Sequence, residues 1–184
     1  MTSLGATFPQ IADDALIDSD LGECQCCERT DAPSYDYRGE IPEPTLAANP
    51  ELAMSEPEIH AACDKCILSG AVKKSAHEIS EVQKLIDEIS RNNPNALEQY
   101  HQIPHIPLMM QREDWPHCCD AWCEYTGVPS NQQESVAVPA TYQFWNRQPA
   151  NPHWDIELRP ESLNEVCLFQ CTSCDKLFFI WQPT

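Results

Sequence analysis

The stretch VCLFQCTSCDKLFFIW (residues 166–181) carries the strongest structural signal in the C-terminal part of this chain. Two apolar, β-prone runs flank a Cys-x-x-Cys turn, and this pattern predicts two strands joined at the cysteines. A redox pair of the thioredoxin type would lie at the start of a helix, whereas here a strand follows Cys174. The pattern therefore favours a zinc knuckle, a hairpin that presents Cys171 and Cys174 to a metal ion.

Most of the remaining cysteines form three further short turns, each able to supply two metal ligands. The chain has eleven cysteines, and clustered cysteines in a chain without a secretory signal indicate metal binding more than disulfides. Two of the turns have Cys-x-x-Cys spacing, and the third is HCCDAWC (residues 117–123). A structural zinc site takes four ligands in a tetrahedron, so four half-sites predict two such sites.

Pairing the half-sites in sequence order gives the predicted ligand sets. The first site comprises Cys24, Cys27, Cys63 and Cys66. The second comprises Cys118 or Cys119, with Cys123, Cys171 and Cys174; the sequence leaves the first choice open. Four-cysteine sites are closed to water, and the peptidase and deaminase zinc signatures are absent from the sequence. We therefore expect two structural zinc sites and no catalytic residue.

The other cysteines and a nearby histidine have simpler interpretations. Cys26 is a spare thiol beside the first turn, and Cys167 lies in an apolar run typical of a buried strand. His117 is an alternative ligand for the second site, because it precedes the cysteines of that turn directly.

The charge of the chain is strongly negative. Its 29 acidic side chains outnumber 11 basic ones, for a net charge of −18. Residues 1–60 hold thirteen acids and only Arg29 and Arg38 as bases. Such a surface repels nucleic acid and anionic membranes and attracts basic partners, although acidic surfaces also serve solubility alone. The N-terminus lacks a signal-peptide pattern and no stretch is long and apolar enough to span a membrane, which predicts a cytoplasmic protein.

Secondary-structure signals are short apart from one helix. Ser75 and Glu78 form a capping-box pattern, and apolar residues at helical spacing predict a helix over about 76–91. A second short helix is expected around 118–125. Strands are expected at SYDYRGE (residues 34–40), with a turn at Gly39, and at ATYQFW (residues 140–145).

The expected fold class is α+β, a small irregular zinc-stapled fold with zinc-knuckle hairpins and few helices. Residues 41–60 are rich in proline and acids and are expected to form an extended loop, with a turn of helix near 50–54. We expect an acidic zinc-binding region at 1–95 and a zinc-knuckle region at 96–184, packed together as one unit.

Five motifs resemble the CbrC family of bacterial proteins when taken in order. They are ECQCCE, YRGE, CDKCILSG, DWPHCCDAWCEYTG and FQCTSCDK, spread over about residues 8–180. The matching positions are Cys24, Cys27, Tyr37, Gly39, Cys63, Cys66, Ile67, Gly70, Trp115, His117, Cys118, Asp120, Cys123, Gly127, Cys171 and Cys174. The chain departs from the family where CDKC replaces Cys-Pro-Trp-Cys and where a His-Pro-Asp-Pro element after Phe8 is missing.

The name of this family is linked to tolerance of colicins, which are bacterial toxins. Together with the charge, the resemblance implies an immunity protein that binds a basic toxin, in particular a nuclease. The residues expected to contact the toxin are Asp31, Tyr35, Asp36, Tyr37, Glu40 and Glu43. The alternatives are a stress-response or regulatory zinc protein without a toxin partner, and a zinc-dependent hydrolase built around His117, Asp120 and Cys123.

Overall fold

The computed structural model describes residues 8–12, 14–15, 22–42, 46–47, 58–104, 115–145 and 165–181. Within these ranges the chain forms a mixture of helices and short strands, which confirms the predicted α+β class. The elements are β1 (Ser34–Glu40), β2 (Glu58–Cys63), α1 (Asp64–Leu68), α2 (Ala76–Ser90), α3 (Ala96–His101), β3 (His117–Cys118), β4 (Ala121–Trp122), β5 (Glu124–Gly127), α4 (Gln132–Thr141), β6 (Gln143–Phe144), β7 (Val166–Gln170) and β8 (Leu177–Trp181).

The C-terminal hairpin is the centre of a four-stranded sheet with the strand order β5-β7-β8-β6. Strands β7 and β8 pair antiparallel from Val166 opposite Trp181 to Gln170 opposite Leu177. This confirms the two strands predicted from residues 166–181. The register brings the ends of the strands together at the Cys-x-x-Cys turn, so the sheet fixes the position of that turn.

The outer edge of β5 is covered by the N-terminal segment. Ile11 forms a parallel bridge with Tyr125. The Tyr125 N–H donates to the Gln10 carbonyl at 2.7 Å, and the Ala12 N–H donates to the Tyr125 carbonyl at 2.9 Å. An exposed sheet edge invites pairing with other chains, so this segment protects the sheet as well as extending it.

Strands β1 and β2 form a separate antiparallel sheet with an irregularity between Asp36 and Gly39. Gly39 lies within β1, opposite Ile59, and not in the turn predicted for it. The neighbouring Glu40 exchanges two backbone hydrogen bonds with Lys73, at 2.8 and 3.0 Å. The chain after α1 therefore closes over the end of β1.

Helix α2 agrees with the sequence pattern almost to the residue. The Ser75 hydroxyl accepts a hydrogen bond from the Glu78 N–H at 3.1 Å, as an N-cap should. Its apolar stripe is buried, with Val82, Leu85 and Ile89 at 0–1% exposed. The stripe thus serves core packing.

Several local predictions were wrong. Residues 118–125 form no helix but the short strands β3, β4 and β5. Residues 58–60, the end of the predicted loop, belong to β2, because pairing with β1 stabilises a segment whose local preference is weak. Residues up to Thr141 belong to α4, which leaves only Gln143–Phe144 of the predicted strand. The turn of helix expected near 50–54 lies outside the described residues.

One main core connects elements from both predicted regions. Phe8, Tyr37, Leu85, Tyr125 and Phe169 are among its largest members and are fully buried. The buried cysteines of both predicted metal sites belong to this core as well. A smaller cluster of Val138, Val166, Leu168 and Phe179 packs α4 on the other face of β7 and β8.

The helices in the described ranges are too short or too polar to cross a membrane. The longest of these helices, α2, has 15 residues and exposes many charged side chains.

Replacing Gly39 by alanine is expected to destabilise the protein. A Cβ atom there would lie 2.4 Å from the Lys73 carbonyl oxygen and 2.7 Å from the Tyr37 ring. We expect Gly39→Ala to lower the free energy of unfolding by about 1–3 kcal/mol, the usual cost of overpacking. Urea unfolding measures this value. Arg38→Ala, on the exposed neighbouring residue of the same strand, is the control and should change stability by less than about 0.5 kcal/mol.

Candidate metal centre

Two of the cysteine turns have the same backbone structure. In the first, the Cys24 N–H donates to the Arg29 carbonyl and the Glu28 N–H donates to the Cys24 carbonyl. In the second, the Cys171 N–H donates to the Lys176 carbonyl and the Asp175 N–H donates to the Cys171 carbonyl. We call these six-residue turns the knuckles.

A left-handed residue closes each knuckle directly after its second cysteine. Glu28 has a φ of 55° and Asp175 a φ of 56°. Aspartate is among the non-glycine residues that tolerate this region, while glutamate is a less common choice. The sequences CQCCER and CTSCDK therefore share an acidic residue and then a basic one after their last cysteine. This repeated pattern is a signal in the sequence that the spacing of the cysteines alone does not reveal.

The first cysteine cluster, defined as Cys24, Cys27, Cys63 and Cys66, gathers the four ligands predicted for the first site. The knuckle supplies two of them, and the end of β2 and helix α1 supply the other two. The Sγ atoms of Cys24 and Cys66 are 3.8 Å apart, and those of Cys27 and Cys63 are 3.7 Å apart. The Cys63 N–H also donates to the Cys24 sulfur at 3.2 Å.

The second cysteine cluster, defined as Cys118, Cys119, Cys171 and Cys174, combines the other knuckle with the β3–β4 hairpin. In that hairpin Cys118 pairs with Ala121, which leaves Cys119 and Asp120 as a two-residue loop. Both loop residues have positive φ, 53° and 58°, as a type I′ turn requires. The turn places two adjacent thiols on the same cluster.

The second ligand set corrects the prediction in two ways. Both Cys118 and Cys119 belong to the cluster, so no choice between them is needed. Cys123 does not belong to it, because the hairpin turns the chain back and places Cys123 in the core, 1% exposed. Its N–H donates to the Pro116 carbonyl at 2.8 Å, and its carbonyl accepts from the Trp115 indole at 2.9 Å.

The spacing of the thiols fits a tetrahedral metal site. A zinc–sulfur bond of about 2.3 Å implies about 3.8 Å between the sulfurs of a tetrahedron. The Sγ–Sγ distances of 3.8 and 3.7 Å in the first cluster meet this value. In the second cluster Cys118 lies 3.7 Å from Cys119 and 3.6 Å from Cys174. All eleven cysteines are free thiols, so no disulfide competes for these ligands.

The thiols of the first cluster differ in their pKa values. Burial would raise the pKa of Cys24, but hydrogen bonds from backbone N–H groups, Cys63 foremost, lower it to about 7. Burial raises the pKa of Cys63 to about 12. A hydrogen bond with the Cys26 thiol and burial raise the pKa of Cys66. Without a cation only part of the cluster is ionised at neutral pH, so binding a metal ion releases protons.

In the second cluster, too, the pKa of one thiol is lowered and those of others are raised. A hydrogen bond from the Lys176 N–H, followed by one with Cys171, lowers the pKa of Cys174 to about 7. Burial and the neighbouring Cys174 raise the pKa of Cys118. The Cys174 thiol also raises the pKa of Cys119 through their hydrogen bond. In each cluster one knuckle cysteine therefore has a lowered pKa.

The two clusters differ in exposure. Cys24, Cys63 and Cys66 are 0–5% exposed, and Cys27 is the exposed member of the first cluster. In the second cluster only Cys171 is buried, while Cys119 and Cys174 are exposed and Cys118 is intermediate. The first cluster is therefore part of the core, and the second lies at the surface.

Two further cysteines lie outside the clusters. The Cys26 thiol contacts the Ala71 carbonyl at 3.9 Å and interacts with Cys66, so it stands beside the first cluster. Cys167 is buried in β7, where burial raises its pKa to about 12. Both positions agree with the sequence interpretation of a spare thiol and a buried strand residue.

The residues expected to contact a partner have different surroundings. Tyr37 is fully buried, with its hydroxyl donating to the His101 carbonyl at 2.7 Å and the Lys74 Nζ 4.3 Å from its ring centre. It is a core residue, so its prediction as a surface contact was wrong. Asp31 is exposed but forms an ion pair with Arg29 at 2.7 Å. Tyr35, Asp36 and Glu40 are half-buried on β1.

Glu43, the remaining residue expected to contact a partner, lies outside the described residues. Tyr35 also packs edge-on against Phe8, with their ring centres 4.8 Å apart.

The residues of the alternative hydrolase site have separate roles. His117 packs edge-on against Trp145, with ring centres 5.1 Å apart, and more loosely against Trp122. The Asp120 carboxylate accepts a hydrogen bond from the Asn92 amide at 2.8 Å. Cys123 is in the core, so the geometry of these residues does not support a shared catalytic site.

Comparisons with protein families, with curated proteins and with solved structures gave no match to this chain.

The first cluster can be tested with two equally buried cysteines. Cys66→Ala removes a ligand, whereas Cys167→Ala removes a thiol outside the clusters; the two residues are 5% and 4% exposed. We expect Cys66→Ala to lower the bound metal by about one ion per chain and to lower stability markedly, since metal binding is coupled to folding. Elemental analysis and thermal unfolding measure the two effects. Equal metal content in both variants would contradict the assignment.

The second cluster can be tested with Cys119 and Cys123. Because Cys119 belongs to the cluster and Cys123 does not, Cys119→Ser should lower the metal content by about one ion, while Cys123→Ala should leave it unchanged. The opposite pattern would restore the ligand set predicted from sequence spacing.

Proposed function

We propose that the two cysteine clusters hold zinc and that the chain works as a zinc-stabilised acidic protein that binds and neutralises a basic nuclease toxin. The zinc part is supported by all-thiol ligand sets at tetrahedral spacing, an arrangement typical of zinc and iron–sulfur sites. Zinc is favoured because closed four-cysteine sites of this kind serve folding directly. Each such site carries a net negative charge, since four thiolates outweigh one dication.

The acidity of the chain is the observation that carries the binding part of the proposal. A net charge of −18 on 184 residues is more than solubility requires. A nuclease that grips DNA has a basic surface. Complementary charge raises the rate of association with such a partner by steering the encounter. The proposed localisation is cytoplasmic, where a toxin reaches its nucleic acid target.

The resemblance to the CbrC family, whose name is linked to colicin tolerance, is the second support. It rests on the ordered motifs of the sequence, and the shared elements include both knuckles. The same motifs would suit a stress-response or regulatory zinc protein, which is the alternative function.

The half-buried side chains of β1 form the proposed contact surface. Tyr35, Asp36 and Glu40 are the predicted contact residues on this strand that are partly exposed, whereas Tyr37 is buried. Burial raises the pKa of the Tyr35 hydroxyl, and the nearby Asp64 carboxylate raises it further. An aromatic side chain among carboxylates suits a basic protein surface, since such anchors contribute much of the affinity in interfaces.

Charge reversal on β1 tests the surface. The binding assay is isothermal titration calorimetry at two salt concentrations. The titrant is the purified protein encoded by the gene next to that of this chain. We expect Asp36→Lys with Glu40→Lys to weaken binding by at least about tenfold at low salt and to reduce its salt dependence. Glu88→Lys with Asp87→Lys, on exposed positions of α2, is the control with the same charge change.

If the β1 and α2 variants lose binding affinity equally, total charge and not a contact surface on β1 controls binding, which contradicts the proposed surface. No binding by the unmodified chain, and no protection of DNA from cleavage, would overturn the toxin partner and favour the regulatory alternative.

A further inference from the structure

The two cysteine clusters are built from the same knuckle but are unequally shielded. In the first cluster, three thiols are buried in the main core together with Tyr37 and Ile67. In the second, Cys119 and Cys174 lie at the tips of two tight turns and are exposed. A small reagent therefore reaches two sulfurs of the second cluster without any opening of the fold.

We propose that the second cluster is a peroxide-sensitive thiol site, which releases its metal ion by forming a disulfide between Cys118 and Cys174, while the first cluster keeps its ion and holds the fold. This inference rests on the proposed zinc occupancy and not on the toxin partner.

The distances favour this pair of cysteines. The Cys118 and Cys174 sulfurs are 3.6 Å apart, and a disulfide requires about 2.05 Å. Cys118 ends β3 and Cys174 lies in the knuckle, so a small movement of the β3–β4 hairpin or of the knuckle closes the gap. Cys118 and Cys119 are 3.7 Å apart but adjacent in sequence, and a disulfide between neighbours strains the peptide that joins them.

The oxidant is hydrogen peroxide, and the disulfide forms in two steps. The exposed Cys174 thiolate attacks one peroxide oxygen, the O–O bond breaks, and a sulfenic acid and hydroxide form. The Cys118 thiolate then attacks the Cys174 sulfur and displaces a second hydroxide. Two sulfurs lose two electrons in total, one peroxide gains them, and two protons convert the hydroxides to water. Cys119 and Cys171 take up protons as the metal ion leaves.

The fold can tolerate loss of the second ion. Strands β7 and β8 remain paired over five residue pairs, and their inner faces pack into the core through Phe169 and Phe178. The affected parts are the knuckle and the β3–β4 turn, which has only two residue pairs. The first cluster instead joins a knuckle to β2 and α1, and three of its four thiols are themselves core residues.

The test uses the full chain loaded with two zinc ions and treated with hydrogen peroxide. A zinc-binding dye follows the release of metal, and peptide mapping after alkylation identifies the disulfide. We expect about one zinc ion per chain to leave at least about tenfold faster than the other, because exposure controls thiol oxidation. The fast phase should yield the Cys118–Cys174 disulfide, and a thiol reductant with added zinc should reverse it.

The matched variants are Cys174→Ser and Cys27→Ser, which remove the exposed cysteine of each knuckle. Cys27→Ser should keep the fast release and the mapped disulfide, and Cys174→Ser should abolish the disulfide. If a variant fails to fold, peptide mapping of the unmodified chain tests the Cys118–Cys174 disulfide without it.

Equal release rates, first oxidation within the first cluster, or no release would each overturn the inference. Fewer than two bound ions before peroxide is added would overturn the zinc occupancy itself, and the inference with it. This experiment does not measure toxin binding, so a negative result here leaves the proposed toxin partner untouched.

Discussion

In each cysteine cluster four sulfur atoms lie within 4.8 Å of one another, and this close approach constrains the rest of the structure. Thiolates at 3.6–3.8 Å repel each other unless a cation lies between them. Burial raises the pKa values of Cys63 and Cys118, and the neighbouring cysteines of each cluster raise them further. Each cluster joins segments about 40 or more residues apart in sequence, as the Cys24–Cys66 and Cys118–Cys174 contacts show. A metal ion in each cluster would therefore act as a cross-link that closes a long loop.

Both clusters contain the same local motif, the knuckle, but they differ in how far they are exposed. Both knuckles use a backbone bond across six residues and a left-handed acidic residue, Glu28 or Asp175. The second half of each site differs: a strand end and a helix in the first, a two-residue hairpin loop in the second. This difference places one cluster inside the core and the other at the surface. The proposed structural role of the first and reactive role of the second follow from that placement.

The features that could be predicted from sequence are those set by short-range pattern. Helix α2 has a cap and a complete apolar stripe, and the β7–β8 hairpin has two apolar runs around a tight turn. The first ligand set followed from two Cys-x-x-Cys spacings. By contrast, β2 and α4 have weak local signals, and β2 depends on pairing with β1. The buried state of Tyr37 could not be read from its acidic neighbours, because the irregularity in β1 changes the alternation of faces.

Composition and ligand spacing are local properties, so they were enough to predict an acidic α+β chain with two four-cysteine sites. The tertiary structure decided which thiols meet. Cys119 joins the second cluster and Cys123 leaves it because the turn at Cys119 and Asp120 reverses the chain, and only that reversal directs one thiol outward and the other into the core. The tertiary structure also decided that the second cluster is exposed, since exposure depends on the packing of distant segments and not on the residues of the turn.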